Sequence, residues 1–453
     1  MSRPPRAVFV TLLTAGVLAG LVSGAQAAPG SSQQATSTTA APLVLPPAKA
    51  EGVAPTAAGV QKAMAAALKD PSLGKHFGAY VYDASRGKPV FSVGTAKPFV
   101  PASTMKLLTT VAVLEALGPD HRFTTKVVRS GPASIVLVGG GDPLLTVKRP
   151  TDPTSFPTRA TLQDLAASTA KALLAEGVRT VTLSYDASLF TGPAANAKWQ
   201  PNYLTEGIAA RTSALWVNQG RLTPGMAKRA DSPALAAATS FAAQLRAVGI
   251  KAAGLKPAVA DPAAKPVAQV NSASLGDLVE HVNLHSDNDG AEVLLRHVGL
   301  ATDNGGSYAG GIKGLGTTLT KLGIDVTRAR FEDGSGLSRT NQVPLDVLAG
   351  AVRVAASPDH PKLRHLITGL PIAGFNGSLD GRFAGPGTAT GTGFVRAKTG
   401  TLTSVHSLAG LARSRSGTLL VFAVATDSSP PAKALAARAA LDRATAALAA
   451  CGC

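Results

Sequence analysis

Three short motifs stand far apart along this 453-residue chain, in a fixed order: Ser103-Thr104-Met105-Lys106, Ser286-Asp287-Asn288 and Lys398-Thr399-Gly400. Together they hold a hydroxyl nucleophile, two amines, a carboxamide and further hydroxyls, parts for acyl chemistry that act only if they meet. A fold that joins them must bring an early segment against two late ones and loop out much of the chain between Ser103 and Ser286. No compositional feature constrains the topology as strongly.

Each motif has a local structural reading. Pro101 and the apolar run after it place Ser103 at the start of a helix to Leu117, stopped by Gly118-Pro119. Residues three apart share a helix face, so the Lys106 amine can reach the Ser103 hydroxyl. A lysine serves as a base only when burial or nearby charge lowers its pKa, and Met105, Leu107 and Leu108 predict burial. Free N–H groups at the helix start also favour an oxyanion. Ser-x-x-Lys alone is equally a capping serine beside a solvated lysine. Ser286-Asp287-Asn288 precedes the helical run 290–295, where Ser286 and Asn288 can relay a proton and hold an amide, or simply cap the helix. Lys398-Thr399-Gly400-Thr401-Leu402 reads as a strand. On a sheet edge, Gly400 would clear a path for a ligand backbone, and Lys398 with the Thr399 and Thr401 hydroxyls would bind a carboxylate. The alternative is an ordinary hairpin.

Helical and strand patterns alternate, which predicts an α/β or α+β class. Apolar helices end in Gly before a β-branched residue at Gly177-Val178, Gly249-Ile250 and Gly323-Ile324, each predicting a left-handed cap that hands over to a strand. Residues 57–127 and 266–450 form one domain in this reading, and residues 128–265 a second domain inserted into it. The insertion opens with the strand Ser134–Val138 and the turn Gly139-Gly140-Gly141-Asp142-Pro143, and ends in the Pro/Ala-rich stretch 257–266. The triple glycine lacks the spacing and following Lys-Ser/Thr of a phosphate loop and reads as a tight turn.

Arg3 and Arg6, the uncharged apolar run Ala7–Val22 and Ala25-Gln26-Ala27 predict an export signal over residues 1–27, cleaved after Ala27, rather than a retained anchor. An Ala/Pro/Ser/Thr-rich tether fills residues 28–56. Only 4% of residues are aromatic while 45% are apolar, so the core must be built from Ala, Val and Leu. The net charge of +17 is scattered, without basic runs interleaved with aromatics. This argues against nucleic acid and suits peripheral contact with an anionic cell envelope. His281 and His285 lack a third ligand, so no metal or cofactor is expected. The terminal Cys451-Gly452-Cys453 cannot staple the fold and reads as a frayed tail, with a strained local disulfide as the alternative outside the cytoplasm.

The trio has a recorded precedent in β-lactamases and penicillin-binding proteins. With Val138–Pro143, Ala291-Glu292 and Asp333-Gly334-Ser335-Gly336-Leu337-Ser338-Arg339, the chain resembles the class C low-molecular-mass penicillin-binding proteins, D-alanyl-D-alanine carboxypeptidases/endopeptidases of the bacterial wall. The resemblance spans residues 57–450. It implies a serine β-lactamase/transpeptidase-like domain, an antiparallel sheet flanked by helices, carrying an inserted domain. It implies peptidoglycan stem peptides as substrates, β-lactams as inhibitors, Ser103 as the acylated residue and Lys106 as general base. Ser286 would pass a proton to the leaving D-Ala amine. Asn288 would hold the substrate amide, and Lys398 and Thr401 the terminal carboxylate, with the Ser103 and Thr401 N–H groups as oxyanion hole. The insertion is short beside those of larger relatives. Asn202 stands three residues after Trp199, where some relatives carry an acid for a diaminoacyl side chain. A secreted serine β-lactamase and a non-catalytic wall-binding module are the competing readings, the first opposed by the lack of a Glu-x-x-Leu-Asn element.

Overall fold

The computed structural model describes residues 55–452, apart from residue 153; the export signal and the tether to residue 54 lie outside them. Thr56 caps the first helix, α1 (Ala57–Leu68), through its hydroxyl. The hairpin β1 (Phe77–Asp83) and β2 (Lys88–Val93) follows, then α2 (Met105–Leu117). A second group comprises β3 (Thr124–Gly131), β4 (Ser134–Val138), α3 (Leu162–Ala175), β5 (Thr180–Asp186), the short α4 (Asn202–Thr205), α5 (Pro233–Ala247), β6 (Lys251–Pro257) and β7 (Pro266–Asn271). Helices α6 (Leu275–His285), α7 (Asn288–Ala301), α8 (Tyr308–Lys321), α9 (Leu345–Ala356) and α10 (Arg364–Thr368) come next. Strands β8 (Val395–Leu402), β9 (Val405–Arg413) and β10 (Leu419–Thr426) and helix α11 (Ala434–Ala450) complete the order.

The first sheet is antiparallel, in the order β2-β1-β10-β9-β8, so both ends of the chain build it. Alternate residues of β10 face opposite layers, as strand geometry requires. Phe422 and Val424 pack with Val60, Met64, Ala437 and Leu441 of α1 and α11. Val421, Ala423 and Ala425 pack with α2 and α9. Covered on both faces, β9 is buried from Val405 to Ala412. Helix α2 is buried all round from Met105 to Leu114, as an apolar helix without a polar face must be. The antiparallel sheet flanked by helices is the architecture the resemblance implied.

The second sheet, β6-β5-β4-β3-β7, is parallel across β4, β5 and β6 and antiparallel around β3. Ile135, Leu137 and Leu183 pack against Leu165 and Leu173 of α3 and Phe241 and Leu245 of α5. This sheet extends past the expected limits of residues 128 and 265. It begins at Thr124 and closes at Asn271, which pair with each other. The Pro/Ala-rich stretch is therefore a loop between two strands of one sheet, not the exit from it.

Glycine chemistry explains how the second sheet seats on the helices. A Cβ at Gly140 would lie 1.9 Å from the Thr124 carbonyl oxygen, and one at Gly141 would lie 2.4 Å from His297 Nε2. The triple glycine is thus a close-approach turn. Gly177, Gly249 and Gly323 all take the left-handed conformation, with φ of 76, 87 and 71°. The first two hand over to β5 and β6. After Gly323 no strand follows; Ile324 is buried in the helical core instead. In the C-terminal region, Asp442 of α11 is buried and paired with Arg382. Cys451 is buried and disulfide-bonded rather than part of a frayed tail.

Gly140→Ala should destabilise the protein by at least ~2 kcal/mol, because backbone rather than a flexible side chain blocks the new methyl. Gly316→Ala on α8, where nothing lies within 4 Å, should be neutral or stabilising by up to ~1 kcal/mol. Urea denaturation of both variants checks the contrast.

Candidate active site

Ser103 sits in a 3-10 turn, Ala102–Thr104, that runs directly into α2. Ala102 has φ 47°, a left-handed conformation that costs a non-glycine residue about 1 kcal/mol or more. The turn is held from three sides. The Thr104 and Ser407 hydroxyls each donate to the Pro101 carbonyl at 2.7 Å. Gly336 presses so closely that a Cβ there would lie 1.8 Å from the Ala102 oxygen. The third approach is Gly400, where a Cβ would meet Ser407 Oγ at 2.1 Å and the Pro101 oxygen at 2.6 Å. This revises the reading of that glycine: it lets β8 lie against the nucleophile's turn.

Lys106 is wholly buried, and its Nζ lies 3.0 Å from Ser103 Oγ, 2.8 Å from Asn288 Oδ1 and 2.7 Å from the Ser335 carbonyl oxygen. A neutral amine has two N–H groups and one lone pair. Two of these partners can only accept, so they engage both N–H groups and leave the lone pair facing the Ser103 hydroxyl. Burial lowers the Lys106 pKa to about 8, opposed by the charges of Glu292, Asp287, Asp333 and Asp289. The Ser335 carbonyl is itself positioned. Glu292 accepts the backbone N–H groups of Gly334 at 3.1 Å and Ser335 at 2.8 Å. Asp333 accepts from Gly336 N, Ser338 N, Asn341 Nδ2 and the Trp199 indole. Burial, with Asp333 nearby, pushes Glu292 up to about 8.

The second motif divides its labour. Asp287 caps α7, accepting from Gly290 N at 3.1 Å. Ser286 takes a left-handed conformation (φ 56°) at the end of α6. Its hydroxyl accepts from Lys398 Nζ at 2.9 Å. Asn288 also donates through Nδ2 to the Ile208 carbonyl of the inserted segment, at 3.1 Å.

β8 is the terminal strand of its sheet. Ala397 N donates to Pro371 O and Val395 O accepts from Ala373 N, so these residues turn their backbone groups away from β9. By strand alternation, the backbone groups of Thr399 and Thr401 face the same open edge. Thr401 N–H therefore faces this open edge, one residue beyond the contact of Gly400 with the Ser103 turn. Lys398 is fully buried, and burial together with the Lys106 charge holds its pKa well below the usual lysine range. Thr399 is buried and donates to Ser378 Oγ at 2.7 Å, while Thr401 is exposed.

The sequence profile of the D-Ala-D-Ala carboxypeptidase 3 (S13) family matches residues 60–231 and 222–448. The chain belongs to that family. A carboxypeptidase of Mycobacterium tuberculosis is 35% identical over 383 residues, covering 83% of this chain and 81% of the relative. The carboxypeptidase DacB of Mycolicibacterium smegmatis is 34% identical, with 91% of each chain covered. In fold, the chain matches penicillin-binding protein 4 (dacB) of Haemophilus influenzae with a TM-score of 0.68 at 20% identity, over 86% of this chain and 98% of that one.

In this S13 chain, all three motifs converge on one cleft, and every residue expected there by sequence lies at it or in its walls. Sequence reasoning picked out Glu292, Asp333 and Ser335 only as parts of motifs and gave them no role behind Lys106, and it missed Ser378 behind Thr399. The available signal was the acid in the otherwise apolar run 290–295 and the glycine-rich stretch 333–336. Among the described residues, no cluster of His, Cys, Asp or Glu could hold a metal.

Acylation of Ser103 by a β-lactam should rise with pH through a midpoint near 8 and then level, because only the unprotonated Lys106 offers a lone pair. Glu292→Gln removes the charge that most raises the Lys106 pKa, so the midpoint should move to lower pH. Stopped-flow acylation across pH 5–10, a range set to about two units either side of an ordinary catalytic pKa, checks both.

Proposed function

We propose that the chain is a serine-type D-Ala-D-Ala carboxypeptidase acting on peptidoglycan stem peptides, acylated and inhibited by β-lactams. The observation that carries this reading is the Lys106 amine, whose two N–H groups face Asn288 and Ser335 and whose remaining position faces Ser103.

Ser103 Oγ attacks the carbonyl of the penultimate D-Ala while Lys106 takes the hydroxyl proton. The oxyanion is received by the Ser103 and Thr401 N–H groups. As the tetrahedral intermediate collapses, the C–N bond breaks, and Ser286 hands its proton to the departing amine and regains one from Lys106, which returns Lys106 to its neutral form. Lys398, through its contact with Ser286, keeps that hydroxyl oriented. Lys398 and Thr401 hold the terminal carboxylate, and Asn288 holds the substrate amide. Water then attacks the ester, with Lys106 again as base, and the enzyme is regenerated. D,D-endopeptidase cleavage of a cross-link uses the same acyl-enzyme with a different leaving amine. A β-lactam acylates Ser103 but leaves no departing fragment, so water enters poorly and the adduct persists. The intact Ser103, Lys106 and Lys398 geometry speaks against a relic used only for wall binding.

The reaction belongs outside the cytoplasm in this reading. Arg3, Arg6, the run Ala7–Val22 and Ala25-Gln26-Ala27 support export, and the net charge of 17 − 2 = +15 left after removal of Arg3 and Arg6 supports peripheral retention by anionic wall polymers. Among the described residues, no helix is long and apolar enough to cross a membrane.

Incubation with a fluorescent penicillin should label the wild type durably and leave Ser103→Ala unlabelled. Lys106→Ala should slow labelling by at least ~100-fold, the scale of a lost general base. D-Ala release from a pentapeptide ending in D-Ala-D-Ala completes the test. Rapid drug turnover without durable label would favour a β-lactamase, and absence of both label and release would overturn the enzymatic reading.

A further inference from the structure

A polar pocket of about 280 Å³ opens beside Ser286 and Asn288, between the second motif and the inserted domain. It continues past Gln219, Arg221 and His281 into a smaller hollow of about 130 Å³ that reaches Arg159. The mechanism above uses none of these four side chains.

The wall from the inserted domain is built at conformational cost. Asn218 and Gln219 are consecutive non-glycine residues in the left-handed region, with φ of 51 and 55°. Such residues persist only where their surroundings over-determine them. Here the strained turn brings Gln219 Nε2 to within 2.6 Å of Asp287 Oδ2, fastening the wall to the cap of α7. Asn288 Nδ2 on Ile208 O and Asp289 Oδ1 on Ala210 N, at 2.7 Å, fasten the same wall a second and third time. The pocket thus shares Ser286 and Asn288 with the cleft and has its far wall hydrogen-bonded to α7.

Its charge is unbalanced. Asp289 is matched by Arg229 at 2.7 Å, both nearly fully buried. Asp287 accepts from Gln219 and Gly290 and lies 3.8 Å from His281 Nε2. Among the described residues, Arg221 and Arg159 form no ion pair; Arg221 donates only to the Met226 carbonyl, at 3.3 Å. Arg159 Nε and His281 Nδ1 are buried without hydrogen-bond partners. The other carboxylate acting on Arg159 is Asp142, which accepts from Leu144 N and which burial pushes up to about 7. Burial lowers His281 to about 4, so it enters as a neutral imidazole. Three guanidinium groups, Arg159, Arg221 and Arg229, stand against the two carboxylates Asp287 and Asp289 in this lining, and Arg221 and Arg159, neither in an ion pair, are the groups left to match a carboxylate of a peptide.

We propose that this pocket is an anion subsite that receives a free carboxylate of the peptide substrate, with Arg221 and Arg159 as its donors. The inference rests on the D,D-peptidase reading. A carboxylate could arrive from the strand that acylates Ser103 or from the strand that leaves.

The test is calorimetric binding to the full-length Ser103→Ala protein, which cannot turn over. Three ligands are compared: a peptide ending in D-Ala-D-Ala that is neutral apart from its terminal carboxylate (the neutral peptide), the same peptide with one free carboxylate upstream of the scissile bond, and a cross-linked dimer whose only additional free carboxylate is on the leaving strand. One carboxylated ligand should bind about tenfold or more tightly than the neutral one, the scale of a charge-assisted contact, and which one does so names the source. Adding Arg221→Gln and Arg159→Gln should reduce that advantage to about twofold or less, with Arg221→Gln alone giving an intermediate value, on the same scale of tenfold per lost charge-assisted contact. Equal binding of all three ligands, or an advantage that survives both substitutions, overturns the subsite. D-Ala release by the wild type from the neutral peptide separates the two levels. Release without a carboxylate advantage overturns the subsite alone, and no release with no binding of any ligand overturns both.

Discussion

A lysine side chain without access to water must either surrender its charge or be surrounded by acceptors. At Lys106 the surroundings permit the first. Two acceptors, Asn288 Oδ1 and the Ser335 carbonyl, take up the N–H groups of a neutral amine, and the third direction holds the Ser103 hydroxyl. Much of the molecule is organised to keep that environment dry and fixed. Helix α2 is buried on every side through Leu114. Glu292 clamps two consecutive amides so that the Ser335 carbonyl cannot turn away. Neighbouring carboxylates pull the pKa back up, so that it settles near 8 rather than lower. The outcome is a base that is unprotonated in a usable fraction of molecules near neutral pH.

Helix α7 connects this centre to the rest of the chain. Its polar residues, buried from Asp289 onward, hold several other parts of the chain. Asn288 reaches Lys106 and Ile208. Asp289 takes Ala210 N and Arg229. Arg296 donates to the Thr191 and Gly306 carbonyls, with its guanidinium 4.3 Å from the centre of the Tyr308 ring. His297 Nε2 meets the Gly141 carbonyl at 2.9 Å. The inserted domain is thereby tied along one helix to the residue that contacts the Lys106 amine. Buried polar groups are costly unless satisfied, so these contacts specify one docking geometry rather than a sliding interface.

Local signals made much of this legible in the sequence. Gly118, Gly177 and Gly249 marked helix ends because only a left-handed residue could end them so. The Ser103–Lys106 contact followed from helical spacing alone. What remained hidden depends on tertiary approach. The role of Gly400 is set by Pro101 and Ser407, which no local pattern places beside it. The second sheet recruits Thr124 and Asn271 because β7 returns to pair with β3, a non-local contact that composition does not encode. The Ser335 carbonyl is a backbone group, and nothing in its side chain announces that it would orient the base.

The central claim is that Lys106 titrates far below an ordinary lysine. The direct measurement is a pH titration of the lysine ε-carbon resonances in isotopically labelled protein, with the Lys106 signal assigned by its loss in Lys106→Arg. The account predicts an inflection near pH 8 for that resonance. An inflection at the ordinary lysine value, about 10.4 or above, would contradict it and would leave Ser103 without its base.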